Sequence, residues 1–158
     1  RTIIQSGKYN SMNENNRIFY PPVGTGTIEL KVSSEETIGE LSMFLQTLPV
    51  GEGTNAHLHR NCEETGYVLE GRIRASLGDE INEFGVGDSL FVPRNIPHAI
   101  CNAGDTTARF LFITTPGGLE DYFQEISDQE RSSPDLTERI QSIAKKHGLE
   151  VVGPPLSL

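Results

Sequence analysis

Across residues 25–115 the chain is cut at short intervals by turn-forming residues, and this punctuation constrains the fold more than any other feature. Pro49-Val50-Gly51-Glu52-Gly53, Glu70-Gly71, Gly78-Asp79, Gly85-Val86-Gly87-Asp88, the stretch 93–97 and Gly104-Asp105 are the breakers. Between them lie β-branched and aromatic runs at 26–32, 40–48, 65–69, 72–77, 89–92, 98–102 and 108–114. Short strands at such spacing, with no helical pattern between them, predict an all-β sandwich or barrel. The period changes after Pro116-Gly117-Gly118. Leu119, Tyr122, Phe123 and Ile126 recur at i, i+3, i+4 and i+7, one face of a helix. A second helix is announced by Ser133 as cap, Pro134 at the first helical position and Asp135 in the first turn. Its apolar face is Leu136, Ile140, Ile143 and Ala144, and Gly148 stops it. The expected organisation is an N-terminal arm over 1–24, a β-barrel over 25–116, and helices with an apolar tail over 117–158 that pack on the barrel or on a partner.

Composition narrows the class. A chain of 158 residues matches one domain of roughly 150 residues and needs neither disulfide nor metal merely to fold. With 16 Gly and 9 Pro it is turn-rich, but 35% hydrophobic residues exclude collagen, coiled coil and wholesale disorder. A net charge of −9 repels phosphate backbones and anionic lipid, so neither nucleic acid nor membrane is expected as a partner. No stretch approaches the ~18 apolar residues of a membrane span, and residues 1–20 lack a signal-type apolar run. The chain begins at Arg1 rather than Met, which leaves a preceding segment open. Two cysteines, Cys62 and Cys101, cannot make a disulfide framework, and a reducing cytoplasmic setting is expected.

Of four histidines, three form an interpretable set. His57 and His59 stand two apart at the start of a strand, so both project to one face. Glu64 follows a turn through Arg60-Asn61-Cys62; if the chain doubles back there, Glu64 opens the adjacent antiparallel strand and faces the same pocket. His98 opens another strand directly after Pro97. Three imidazoles and a carboxylate suit one divalent ion, Fe, Mn, Ni, Co or Zn, without selecting among them. By alternation, Val68 and Ile100 are expected to line the pocket with Glu64 and His98, Gly66 to leave room beside the metal, and Tyr67 to face outward. Asn102 is carried as a further pocket candidate. Glu63 is read as solvated, Cys62 as a packed loop thiol, and Arg94 as an exposed turn residue.

The residues around these ligands fall in two blocks. Gly51, five residues, His57-x-His59, four residues, Glu64, six residues and Gly71 make the first. Gly87, five residues, Pro93-x-Asn95-x-x-His98, three residues and Asn102 make the second, with fifteen residues between the blocks. These spacings resemble the two signature motifs of the cupin family. Asn95 departs from the family's usual glycine, and Asn tolerates a left-handed backbone. The segment Pro116-Gly117-Gly118-Leu119-Glu120 also resembles single-domain cupins of quercetin dioxygenase-like type.

The resemblance implies a small antiparallel jelly-roll barrel followed by two C-terminal helices, with the metal inside and His57, His59, Glu64 and His98 as its ligands. The function expected from it is a metal-dependent dioxygenase-like enzyme acting on a small aromatic or dicarbonyl compound, Glu64 serving also as catalytic proton acceptor. Alternatives are a non-redox isomerase, epimerase or lyase, and a small-ligand-binding cupin without turnover. A homodimer is expected, built on the helix over 119–126 and the apolar tail over 149–158.

Overall fold

A computed structural model describes residues 17–156 of the chain. Six strands, β1 (Ile18–Phe19), β2 (Thr27–Val32), β3 (Ser42–Leu48), β4 (Asn55–His59), β5 (Glu63–Glu70) and β6 (Arg72–Leu77), come first in sequence. They are followed by β7 (Glu80–Gly85), β8 (Ser89–Val92), β9 (His98–Cys101) and β10 (Ala108–Thr115). Helices α1 (Leu119–Ser127) and α2 (Leu136–Lys146) precede a last strand, β11 (Leu149–Pro155). No helix among the described residues is long and apolar enough to cross a membrane.

The strands form two antiparallel sheets, one ordered β1-β2-β3-β10-β5-β8 and the other β11-β4-β9-β6-β7. Neighbours in each sheet are mostly distant in sequence, the mark of a jelly roll, so the expected fold class stands. Inward residues alternate with outward ones on each strand. Those of the larger sheet meet in an aromatic core: Phe44 stacks on Phe112 at 4.8 Å, and Phe123 of α1 meets Phe44 edge-on at 5.2 Å. Such pairs add about 0.5–1.5 kcal/mol each beyond area burial.

Several expectations need correction. Residues 80–84, which the sequence pattern assigns to neither a strand nor a breaker, form strand β7 together with Gly85; its side chains are mostly exposed and carry little hydrophobic signal. The tail joins the barrel as a strand rather than lying over it. β11 pairs along β4, with Leu149 opposite His59 and Val151 opposite His57. Two prolines spare it the partner on its outer side, where it forms the sheet edge. β1, within the expected arm, likewise adds an edge strand by pairing with β2. Residues 1–16 of that arm lie outside the described residues. Helix α2 starts at Leu136 with Asp135 as cap; Ser133 and Pro134 form the turn ahead of it, where Ser133 Oγ donates to Asp135 Oδ1 at 2.5 Å.

Candidate metal centre and its cavity

β4 lies between β11 and β9, and His57 stands directly opposite His98 in the β4–β9 register. Period-two alternation carries His59 to the same inward face. The three rings therefore meet inside the barrel, with centroids 4.3 Å (57–98), 5.1 Å (57–59) and 5.2 Å (59–98) apart. One ring nitrogen from each lies within 4.8 Å of the others.

Backbone carbonyls set the tautomers. His57 Nδ1 lies 2.8 Å from the Asn55 oxygen and His98 Nδ1 3.0 Å from the Ile96 oxygen. A carbonyl only accepts, so each Nδ1 carries the proton and each Nε2 keeps a lone pair. His59 Nδ1 is 3.7 Å from the Cys62 thiol. Nε2 of His59 and of His98 is buried with no hydrogen-bond partner. Orphaned buried acceptors are costly unless something supplies them with a counterpart. Neutral imidazole lone pairs converging on one point are what a divalent cation requires, so the residues present fit a metal ion.

Burial, reinforced by the neighbouring His98, holds His57 down at about 4. Burial and the two neighbouring rings push His59 to about 2, and burial lowers His98 as well. All three are neutral at physiological pH. Burial raises Glu64 to about 7. Its Oε2 lies 3.5 Å from His59 Nε2. With the imidazole held neutral and the carboxyl pushed up, that contact is not an ion pair in the metal-free protein.

Glu64 does not open a strand adjacent to β4, as the sequence suggested. β5 belongs to the six-stranded sheet, where Glu64 pairs with Thr114 and Val92. The turn through Arg60-Asn61-Cys62 crosses from one sheet to the other, so three imidazoles approach from one wall and the carboxylate from the opposite one. Asn95 has φ +63°, the left-handed conformation expected where glycine is usual. Glu63 is engaged by Arg94 at 3.0 Å, which occupies that arginine outside the cavity. Cys62 and Cys101 are free and buried, and burial, aided by the charge of Glu64, pushes the Cys62 thiol to about 12. A thiol so protonated is a poor nucleophile.

The histidines and Glu64 line a cavity of about 300 Å³. Ile100 lines it, as expected. Gly66, Val68 and Asn102 do not. Past Glu64 the barrel is filled: a Cβ at Gly66 would meet Leu90 at 3.1 Å and Phe110 at 3.7 Å, so no free space lies there. Val68 points the same way and is wholly buried in the packed core. Asn102 is consumed structurally, its Nδ2 donating to the Leu48 and Thr106 oxygens at 2.8 Å and its Oδ1 accepting from Gly104 N at 3.0 Å. Tyr67 faces outward, 46% exposed.

The cavity runs away from the core toward the helices. Phe123 and Ile126 of α1, and Ile140 and Ala144 of α2, form its outer wall. Sequence reasoning missed these residues. The amphipathic faces were legible, but nothing local says that they close a barrel mouth. Beyond the metal-site residues the lining is mostly apolar, with polar groups at Gln46, Glu52, Thr54, Asn55, Tyr122, Thr137 and Gln141, and no lysine or arginine is among the lining residues described.

A profile of the family described as Cupin domain matches residues 44–114. The chain is 31% identical over 107 residues to the polyketide synthase CurC of Streptomyces cyaneus, covering 62% of this chain and 70% of that protein. It is 38% identical over 69 residues to the uncharacterized protein MJ1618 of Methanocaldococcus jannaschii, 44% of this chain and 55% of that one. The chain thus spans little more than half of the latter relative. An RmlC-like cupin from Shewanella frigidimarina shares the fold, with TM-score 0.57 and 22% identity over 71% of this chain and 93% of that one.

Proposed function

The chain belongs to the cupin family, and on that premise we propose that it is a metal-dependent enzyme acting on a small uncharged compound rich in carbonyl or phenolic oxygens. The observation that carries this reading is the set of buried, partnerless Nε2 atoms opening onto a mostly apolar cavity. His57, His59 and His98 would hold the ion through Nε2, with Glu64 as fourth ligand from the facing sheet. A divalent ion held there would act as a Lewis acid, withdrawing electron density from a carbonyl or phenolic oxygen. A cavity without lysine or arginine among its described lining is poorly suited to a phosphorylated or acidic substrate.

Glu64 is placed to take a proton from the carbon next to an activated carbonyl. Burial raises its carboxyl to about 7 in the metal-free protein, and a bound divalent ion would lower it again, so that it would stand as the carboxylate that accepts the proton. Gln46, Thr54 and Tyr122 offer hydrogen bonds along the wall, and the helices keep bulk water from the reacting end. Closure of a ring within a poly-carbonyl chain is the reaction we favour, supported by the likeness to a protein named as a polyketide synthase. Dioxygenation of a flat aromatic compound is the second reading, supported by the motif and tail resemblance to quercetin dioxygenase-like cupins.

The test has two stages. His98→Ala should lose most of the bound metal while keeping the wild-type far-ultraviolet circular dichroism. Metal-loaded wild type is then offered 1,3-dicarbonyl, poly-carbonyl and phenolic compounds with and without dioxygen. Product formed equally under nitrogen supports ring closure. Stoichiometric oxygen uptake replaces that reading with dioxygenation, and an unchanged metal content in His98→Ala removes the metal assignment itself.

A further inference from the structure

Ser42, Thr114 and Glu64 form a polar row across the inner face of the six-stranded sheet. Register sets Thr114 of β10 between them, opposite Ser42 of β3 on one side and Glu64 of β5 on the other. The remaining inward residues of β10, Ala108, Phe110 and Phe112, are apolar and belong to the core. Ser42 is accounted for, since its Oγ donates to Glu120 Oε2 at 2.6 Å and accepts from Gly118 N at 2.9 Å. Thr114 is not. Its side chain is 0% exposed, and its hydroxyl has no hydrogen-bond partner among the described residues. A hydroxyl buried in this way gives up its bonds to water and receives none in return. Valine would fill the same space without that cost, so packing alone does not explain a threonine here.

The neighbour across the strand pair lacks what this hydroxyl can give. Burial is the one influence acting on the Glu64 carboxyl, and no donor among the described residues supports it. His57 and His98, by contrast, are each fixed through Nδ1 by a backbone carbonyl. A carboxylate offers two oxygens and about four lone pairs. When one oxygen is given to an ion, the other still needs a donor, and ligating carboxylates are held in place by such hydrogen bonds. Residues directly opposite on one face of an antiparallel pair have Cβ atoms about 4.5–5.5 Å apart. Rotation about χ1 of Thr114 and along the longer Glu64 side chain spans what remains.

We propose that Thr114 is a positioning residue of the metal centre, its hydroxyl donating to the Glu64 oxygen that the ion leaves free and so holding the carboxylate toward the three imidazoles. This rests on the reading of His57, His59, Glu64 and His98 as metal ligands. The hydroxyl is idle in the metal-free protein. With an ion bound, it steadies the one ligand that comes from the facing sheet, on the most flexible of the four side chains.

Thr114→Val deletes the hydroxyl and keeps the shape. Metal-free Thr114→Val should melt no lower than metal-free wild type, because it removes an unpaired buried group. Its Kd for Zn(II), measured by competition with a chromophoric chelator, should nevertheless rise at least tenfold. Thr114→Ser keeps the donor and should restore most of the affinity. In a Glu64→Ala background the valine substitution should weaken Zn(II) binding by less than about twofold further, since its partner is gone. An unchanged Kd in Thr114→Val, an equal loss with Glu64 already removed, or a metal-free valine variant that melts several degrees lower would each overturn the proposal, the last by showing that the hydroxyl is bonded within the fold itself. A wild type that binds no Zn(II), Mn(II) or Fe(II) would instead remove the metal assignment, and the role of Thr114 with it.

Discussion

Glu64 is the residue whose environment asks most of it. It stands 12% exposed among neutral imidazoles, and burial alone lifts it from 4.5 to about 7 in the metal-free protein. The folded state therefore holds this proton more tightly than the unfolded chain does. The group's contribution to stability is complete below pH 4.5 and is lost as pH rises through about 7. The displacement corresponds to roughly 3 kcal/mol. The histidines act in the opposite sense, their lowered values removing stability as pH falls below 6.5, and they do so with or without Glu64. Metal-free Glu64→Gln should therefore be more stable than metal-free wild type at pH 8, by up to about 3 kcal/mol. Urea melts with chelator at several pH values check this. A variant whose stability follows the same pH profile between 4.5 and 7 as the wild type's would show that another group titrates there. With metal present the order should reverse, because an amide oxygen is a weaker ligand than a carboxylate.

At the scale of elements, the helices matter because they line the outer wall of the cavity, and a buried carboxylate ties α1 to the barrel. Glu120, in the first turn of α1, is 3% exposed. It accepts from Ser34 N and Ser34 Oγ at 2.6 Å, from Ser42 Oγ at 2.6 Å, and from Gly118 N at 3.2 Å. Burial raises its carboxyl, but the donors outweigh burial and hold it below the usual range. Hydrogen bonds to a charged acceptor contribute about 1.5–3 kcal/mol, and removing the acceptor leaves the proton of the buried Ser42 hydroxyl without a partner, its oxygen still accepting from Gly118 N at 2.9 Å. Glu120→Ala should cost roughly 2–4 kcal/mol in denaturant melts at pH 7. Because the folded value is depressed, Glu120's contribution is complete above pH 4.5 and disappears as pH falls through the folded value. The gap between variant and wild type should narrow accordingly in acid; a gap independent of pH would mean that lost packing, not the carboxylate, is what the substitution removes.

For the whole molecule, the candidate metal centre joins the two sheets: three imidazoles on the five-stranded side, one carboxylate on the six-stranded side. An ion that binds only this folded arrangement stabilises it by about 2.7 kcal/mol when present at 100 times its Kd. For a domain of this size that shifts Tm by roughly 5–10 °C. Chelator should lower the wild-type melting temperature by this amount, readdition of metal should restore it, and His98→Ala should show no metal-dependent change. An equal response in His98→Ala would place the ion elsewhere.

What the sequence determined by itself is local. The two-residue period put His57 and His59 on one face, the turn residues cut most of the strands at the right places, and Asn95 was recognisable as a left-handed position, φ +63°. Even the helical faces of α1 and α2 were legible from spacing. Pairing was not. That β11 runs beside β4, that β5 faces it from the other sheet, and that Leu90 and Phe110 fill the space beside Gly66 all depend on residues far apart in the chain. Val68 illustrates the division: alternation correctly turned it inward, but inward meant packed core rather than cavity. A strand's own residues decide which side is apolar; which other strand or helix meets that side is decided by how the whole set of apolar faces can be buried together.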